Sequence, residues 1–466
     1  MGVGCVSTAW YADDADRLFN GALGVLRRSL GGIVSGAMVR PLSVLALCAV
    51  SLGTVVAQTR LDLDQALRLA RENNGTIRAA WLDIEGARSR VRQNRAAFFP
   101  TITPDAGYRY QRQESFTGLR STFKSDDAFA GIAASWRLLD SGQRQLGLAG
   151  SGASLTAQEL SSLQTLRTTL TEVHVRYFEV LRARKLVEVS KSTVARAQEV
   201  LKQVQARIRV KDMAEKEELQ AKADVLNAEV SLLSSQNRVE TAEADLKAII
   251  GWDSMQALPE LADVPDFPAE GQMETLDALV AFGLENRPDL KSREASLKSL
   301  GYSLKRSQLE AGPTYTVDAN FERRFGPSPT ETSNLTAMVS MPLFDGNRSR
   351  EAANEIRLNV MATESELKQL RRDAQASIES TYKTLTQNRQ RLRAAKLAFD
   401  AANLNYEAAE GAFSKGAADL IAVITAQVSL VTAESNLVEA SYDTYIADVR
   451  IKLVSGKQVP GEQDLR

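Results

Sequence analysis

Residues that could carry out catalysis or bind a metal are scarce in this 466-residue chain. His174 is the one histidine, and the two cysteines, Cys5 and Cys48, both lie near the N-terminus. Zinc needs several histidine, cysteine or carboxylate ligands at suitable spacing, and no such cluster appears. One histidine also makes no convincing Ser-His-Asp set, and no glycine-rich phosphate loop is present. We therefore predict no enzyme activity, catalytic residue, metal site or cofactor, and a packing or surface role for His174.

Composition points instead to long helices. The chain has 57 basic and 58 acidic residues, so a nucleic-acid partner is not indicated. Only 12 prolines and 28 glycines interrupt it, which favours extended helical segments. The mean hydropathy of −0.22 excludes a bundle of transmembrane helices.

The first 57 residues have the composition of a leader. Met38 begins a short basic stretch, residues 42–56 are apolar, and Ala57 ends a small-residue cleavage site. An apolar run of about 15 residues is short for a membrane span, which needs roughly 20. We predict a signal peptide over 38–57, with a buried or anchoring helix as the alternative. We then expect translation to begin at Met38, with residues 1–37 resulting from an upstream start codon.

Cleavage after Ala57 would leave a mature chain without thiols, because Cys5 and Cys48 are the only cysteines. Disulfides and thiolate metal sites are then excluded from it. A lipid anchor on Cys48 is disfavoured, since Leu47 is bulkier than the small residue usual before a lipidated cysteine.

The remaining chain is duplicated. Residues 63–108 match residues 276–321 at a constant offset of 213. The later part of each half matches at an offset of 205, as in the pairs Tyr177–Tyr382 and Gly251–Gly456. Ungapped registers over such lengths are not chance, and repeats define the architecture.

The repeats set the predicted domain boundaries. A first repeat covers 58–251, a proline-interrupted connector covers 252–272, a second repeat covers 273–456, and 457–466 form a tail. Proline cannot sustain a helix interior, so the connector is expected to be irregular.

Apolar residues recur every seven positions in each half. They are Leu166, Val173, Val180, Val187, Val194, Leu201 and Ile208, then Ile378, Leu385, Leu392, Phe399, Tyr406 and Phe413. This period is typical of long helices that supercoil around neighbours.

Three helices are predicted in each half. The long helices are 142–210 and 347–413, the return helices are 214–250 and 419–454, and the leading helices are 63–98 and 276–310. A long helix would span about 100 Å at about 1.5 Å per residue. Each return helix has about half that length, so a return and a leading helix stacked end to end would match one long helix.

Four segments alternate apolar and polar residues with period two. They are 101–111, 128–138, 314–323 and 334–343. About ten residues suit a tilted transmembrane strand, with one apolar face for lipid and one polar face for water. We expect Tyr108, Trp136, Tyr315 and Phe321 to face lipid. A soluble sheet with one buried face is the alternative.

Four strands cannot close a barrel, and open sheet edges are not tolerated in lipid. If the strands enter a bilayer, the barrel must be shared among copies of the chain. Two copies would give eight strands and three would give twelve.

These motifs resemble those of the TolC family of outer-membrane efflux proteins. The resemblance rests on Leu63-x-x-Ala66-Leu67 followed by Glu72-Asn73-Asn74, on its echo at Glu285-Asn286-Arg287-Pro288, and on Pro342-Leu343-Phe344-Asp345-Gly346. It covers about residues 60–456. The order and duplication of the motifs are more specific than any one of them.

The resemblance implies a mainly helical, TolC-like homotrimer. Its 12-stranded barrel would lie in outer-membrane lipid and continue into a 12-helix periplasmic tunnel, with connector and tail at the equator. Such channels accept drugs, metals or type I secretion substrates from an inner-membrane RND or ABC pump through a periplasmic adaptor. They catalyse no reaction.

By position, two helical tips would contact the adaptor and form the periplasmic gate. The tip residues are Val210, Lys211, Asp212, Met213 and Ala214, with Ser414, Lys415, Gly416, Ala417 and Ala418. Where the best-known member has aspartates after its second tip, this sequence has Ala422 and Thr425. Our hypothesis is that Glu215, Glu218 and Asp419 line the gate beside them and favour cations. The alternative is a solvated helix face.

Two other kinds of protein would also contain long helices. A periplasmic adaptor has a long helical hairpin, but normally one hairpin flanked by soluble β-domains. A structural coiled-coil envelope protein would share the seven-residue period without needing alternating strands.

Overall fold

The computed structural model describes residues 60–115, 121–263, 274–326 and 329–462. Outside these ranges lie the predicted leader with its start codon and both cysteines, residues 264–272 of the connector, and the end of the tail.

The described residues form the same series of elements twice. The first half contains α1 (Leu63–Asn73), α2 (Gly75–Ala96), β1 (Thr101–Ser115), β2 (Ser121–Leu139), α3 (Gln143–Arg209) and α4 (Glu215–Ile250). The second contains α5 (Leu276–Asn286), α6 (Pro288–Gln308), β3 (Thr314–Phe325), β4 (Thr330–Ser340), α7 (Arg348–Ser414) and α8 (Leu420–Val454). The predicted fold class, mainly helical with a small sheet, is confirmed.

The expected leading helices, 63–98 and 276–310, are wrong as single helices. The first breaks at Asn74, whose backbone is extended and whose side chain accepts hydrogen bonds from Thr76 N and Ile77 N. Asparagine thus serves as the N-cap of α2. The second breaks at Arg287, because Pro288 cannot donate the hydrogen bond that a continuous helix needs there.

Each break meets the end of a return helix. Asn74 Nδ2 donates to Ile249 O at 2.8 Å, at the C-terminus of α4. Arg287 Nη1 donates to Val454 O at 3.0 Å, at the C-terminus of α8. The side chain at each break therefore satisfies a carbonyl that a helix end leaves without an intrahelical partner.

The predicted end-to-end stacking is thereby confirmed. The 36-residue α4 and the 22-residue α2 are stacked end to end, and both lie alongside the 67-residue α3. The second half repeats this arrangement with α8, α6 and α7.

Glycine is required where the return helices end. Gly251 and Gly456 have φ values of 67° and 72° and terminate α4 and α8 in the left-handed conformation. A Cβ on Gly251 would lie 2.6 Å from Asn73 Cβ, and one on Gly456 would lie 3.0 Å from Arg287 N. Both the backbone conformation and the close packing therefore disfavour a larger residue at these two positions.

The four strands form one antiparallel sheet in the order β1-β2-β3-β4. Tyr108 pairs with Ala128, Trp136 with Val317 and Phe321 with Ser333. β1 and β2 are longer than expected, at 15 and 19 residues. The outer ends of these two strands are mostly polar, so the alternation of apolar and polar residues does not extend to them.

The largest buried cluster lies midway along the helices. The Tyr177 hydroxyl lies 3.0 Å from Leu61 O and 2.8 Å from Ala262 O, and burial raises its pKa. Leu61 also pairs with Leu261 of the connector. The start of the first repeat and the connector are thus held together against α3.

The C-terminal tail is held at the same level by a buried ion pair. Arg167 of α3 donates from Nε and Nη2 to Glu462 Oε1 at 2.9 and 2.7 Å, and from Nη1 to Gly456 O at 2.9 Å. Both side chains are at most 9% exposed. Glu462 Oε2 accepts from Val459 N, so every charged oxygen has a partner.

Among the described helices, only α8 is long and apolar enough to cross a membrane by length and composition. Leu430, Ala440 and Ile446 of α8 are buried within this protomer. Ile421 and Val428 are 65% and 57% exposed, so part of its apolar surface has no cover here.

A partly buried polar contact joins α4 and α8. Gln427 Nε2 donates to Asp224 Oδ2 at 3.3 Å, and burial raises the pKa of Asp224. Gln427 Oε1 is buried and has no partner among the described residues. A neutral side chain at 224 would avoid a desolvated charge and could donate to this oxygen.

Arg167→Ala should destabilise the protein by about 3 kcal/mol, because it leaves the Glu462 carboxylate buried without its cation. Arg88→Ala, which removes solvent-exposed ion pairs with Glu85 and Glu159, should cost less than about 1 kcal/mol. Denaturant unfolding of the purified variants measures both losses. Equal, small losses would contradict a structural role for the tail contact.

Asp224→Asn should raise the melting temperature at neutral pH. A raised pKa in the folded state means that the stabilising contribution of Asp224 is complete below its ordinary pKa and is lost as pH rises through the folded value. The gain from asparagine should therefore shrink as pH falls below about 4. Melting temperatures across pH test this, with exposed Asp400→Asn as control. A gain that grows towards acid pH would refute it.

Candidate functional site

The one histidine lies in the packed interior. His174 is 2% exposed, and Nδ1 donates to Leu170 O at 2.8 Å. Burial lowers its pKa, so the neutral ring predominates. Within the described ranges, no three histidine, cysteine or acidic side chains gather as metal ligands. His174 is therefore a packing residue in this fold.

The two predicted tips are tight turns of the same form. Lys211 and Gly416, which the offset of 205 relates, have φ values of 62° and 77°. In the first tip Asp212 N donates to Arg207 O, and in the second Ala417 N donates to Ala412 O. A lysine in the left-handed conformation costs about 1 kcal/mol, so the surrounding turn must hold it there.

One arginine joins the two tips. Arg207, in the last turn of α3, contacts Asp212 Oδ2 at 2.8 Å through Nη2. Its Nη1 donates to Phe413 O at 3.1 Å, and its guanidinium lies 5.2 Å from the Phe413 ring centroid. The sequence prediction missed Arg207; its available signal was a cation in the last turn of a helix.

The predicted tip residues are brought together and are mostly exposed. Met213 and Ala418 are partly buried against the hydrophobic cluster that contains Phe413, while the other eight are exposed, Val210 by 73%. These eight are Val210, Lys211, Asp212, Ala214, Ser414, Lys415, Gly416 and Ala417. An exposed surface built from two linked turns is available to a partner.

The predicted gate acids have local contacts. Glu218 accepts hydrogen bonds from Lys222 and Gln205, and these contacts lower its pKa. Asp419 is the N-cap of α8 and accepts from Ala422 N at 2.8 Å. Glu215, Ala422 and Thr425 are exposed. No contact joins Glu218 to Asp419 among the described residues, so one protomer does not assemble an acidic cluster from them.

The predicted lipid-facing residues share one face of the sheet. Strand pairing and alternation place Tyr108, Trp136, Tyr315 and Phe321 on the same side, between 39% and 69% exposed. The other face carries polar residues such as Thr103, Asp105, Asp318 and Asn320. Trp136 Nε1 donates to Phe98 O at 3.0 Å, so its polar atom is satisfied where sheet and helices meet.

The sheet is open at both sides. Among the described strands, β1 pairs with β2 alone and β4 with β3 alone. An amphipathic sheet with two free edges cannot seal against lipid by itself, because backbone groups at those edges lack partners.

The comparison with known proteins identifies the family. The sequence profile described as outer membrane efflux protein matches residues 66–252 and 283–457. Outer membrane efflux protein BepC of Brucella suis biovar 1 is 22% identical over 419 residues, with 87% of both chains covered. Outer membrane protein TolC of Vibrio cholerae serotype O1 is 24% identical over 425 residues, covering 87% of this chain and 92% of that protein.

The fold agrees with this match. The solved structure of the outer-membrane channel OprN superposes with a TM-score of 0.76 at 18% identity, covering 85% of this chain and 90% of that chain. The resemblance inferred from the motifs is confirmed. Because the profile spans both repeats, the chain belongs to the outer membrane efflux protein family.

Proposed function

We propose that this protein is an outer-membrane channel that extends into the periplasm. It gives substrates of an efflux or type I secretion system a passive exit, after an inner-membrane pump and a periplasmic adaptor deliver them. The observation that carries this proposal is the open sheet, apolar on one face and polar on the other, joined to long helical hairpins. Family membership supports the same function.

The open edges call for further copies of the chain. β1 of one copy pairing with β4 of the next would satisfy both edges, and such head-to-tail contacts form a ring when the rotation closes. Three copies would give a barrel of twelve strands. We propose a homotrimer on this basis and on the resemblance to the TolC family.

Exposed leucines on the helices support the same neighbour contact. On α4, Leu219, Leu226 and Leu233 lie seven residues apart and are 70%, 61% and 65% exposed. On α7, Leu397 and Leu404 are also seven apart, 71% and 66% exposed. Stripes with this period are typical of helices that pack against a partner helix.

The two stripes match in height above the tips. Leu226 lies eleven residues from the start of α4, and Leu404 lies ten residues from the end of α7. Leu233 and Leu397 lie eighteen and seventeen residues from the same ends. At about 1.5 Å per residue, each pair differs in height by about 1.5 Å. We therefore propose that α4 of one copy packs against α7 of its neighbour.

The tips are the proposed adaptor contact. They lie at the opposite end of the long helices from the sheet, so a barrel in the outer membrane would direct them into the periplasm. Their exposed residues and the Arg207 link would present both turns as one surface.

Leu226→Cys combined with Leu404→Cys should give disulfide-linked dimers and trimers on oxidation of native membranes. Residues 58–466 contain no other cysteine, so each band reports this pair. Non-reducing electrophoresis is the measurement. Leu226→Cys with Leu358→Cys is the control, because Leu358 is equally apolar and exposed but about 70 Å further from the tip. Monomers alone from the test pair, or equal linking in the control, would refute the assignment.

Outer-membrane vesicles or planar bilayers containing the purified protein should show ion conductance. If Glu218 and Asp419 line the gate, Glu218→Gln and Asp419→Asn should each reduce cation preference, measured as reversal potential across a salt gradient. Asparagine retains the N-cap contact of Asp419.

Glu229→Gln, three turns further along α4, is the matched charge control. Unchanged selectivity in both gate variants would remove these acids from the gate while leaving the channel intact. A soluble protein without conductance would instead favour an adaptor or a structural coiled coil.

A further inference from the structure

A cavity of about 320 Å³ lies where the sheet meets the helices. Three arginines from three elements line it: Arg137 of β2, Arg144 of α3 and Arg306 of α6. Its other walls include the hydroxyl side chains of Thr101, Ser135 and Thr316, and no acidic residue lines it.

Arg144 is neutralised within the protomer. Its Nε lies 2.9 Å from Asp140 Oδ2, and both side chains are nearly buried. Its remaining nitrogens donate to Ala97 O and Leu138 O, and its guanidinium lies over the Phe98 ring. Arg144 therefore holds the junction of helix and sheet together.

Arg137 and Arg306 are different. Neither has an ion pair or a side-chain hydrogen bond with any residue that the structure describes. Asp318, which pairs with Ser135 in the sheet register, lies on this face but forms no ion pair with either arginine. The cavity therefore carries two positive charges without a counter-charge in this protomer.

Two further features shape the cavity for a ligand. The Arg306 guanidinium lies 3.4 Å from the point where a Cβ on Gly147 would be, so the glycine leaves room for it. Thr316, directly opposite Arg137 in the register, has a buried hydroxyl without a partner among the described residues. Two guanidinium groups and a free hydroxyl are donors suited to an oxyanion.

The cavity opens on the polar side of the sheet. Thr101, Ser135, Arg137 and Thr316 all alternate with the apolar face that carries Trp136. In the channel proposed above, on which this inference rests, that side faces the water-filled interior. Three copies would place six such arginines around one level of the duct, and a low-dielectric wall strengthens their field.

We propose that this cavity is a binding site for oxyanionic groups, carboxylate or phosphate, on solutes that pass from the helical tunnel into the barrel. Arg137 and Arg306 bind the anion and Thr316 donates a hydrogen bond to it. The site favours anionic cargo at the entrance of the barrel, far from the acids near the tips.

Inorganic phosphate is the probe. Broadening of its phosphorus NMR line by the detergent-purified protein measures affinity without requiring conduction. The double variant Arg137→Gln/Arg306→Gln should bind phosphate roughly a hundred-fold more weakly, since each of the two lost charge-assisted contacts is worth about one factor of ten. Arg137→Lys/Arg306→Lys keeps both charges and should retain most of the affinity.

Arg323→Gln is the control, because Arg323 lies on the apolar side of the sheet and pairs with Glu331. It should leave phosphate affinity unchanged. Equal affinity of wild type and the double glutamine variant would overturn the site, as would an equal loss in Arg323→Gln. This outcome in a conducting protein would leave the channel proposal intact. Arginine-dependent binding by a protein that does not conduct would support the site and refute the channel.

Discussion

The architecture depends on two joints, at each of which a short helix is stacked end to end on another short helix that is distant in the sequence. A helix end leaves backbone carbonyls without partners, and burying such an end needs a donor from elsewhere. Asn74 supplies that donor to α4, and Arg287 supplies it to α8. Because the joints hold, four short helices run alongside two long ones, and the sheet and the tips stand at opposite ends of one wall.

The duplication preserved the geometry of these joints while changing their chemistry. An asparagine amide in one half and an arginine guanidinium in the other satisfy equivalent carbonyls. The same holds at the tips, where Lys211 adopts the conformation that Gly416 adopts without strain. Arg167 shows where the symmetry ends: its counterpart Arg372 is exposed and, among the residues that the structure describes, bonds only to Gln369 in its own helix. One chain has one C-terminal tail, so only one half can bury the pair with Glu462.

Local patterns allowed the long elements to be predicted. The predicted long helices end within one residue of α3 and α7, because the seven-residue stripe and the turn signals on either side of it are local features of the sequence. The break at Asn74 was missed, since Glu72-Asn73-Asn74 contains no proline and a cap depends on what the helix end meets. Pro288 was visible in the sequence and should have ended the leading helix of the second half. Arg207, Arg137 and Arg306 could not be found this way, because their surroundings combine residues far apart in the chain.

The two free edges of the sheet have a genetic consequence. In the proposed ring each protomer pairs with both of its neighbours through the two edges of its sheet. Because every chain contributes the same four strands, the remaining copies cannot fill the place of a missing one. A subunit damaged at β4 alone would still join through β1 and end the ring there. Co-expression of such an allele with the wild-type gene would sequester wild-type subunits in incomplete rings. Damage to one edge would therefore behave as a dominant-negative trait, whereas complete loss of the same protein would be recessive.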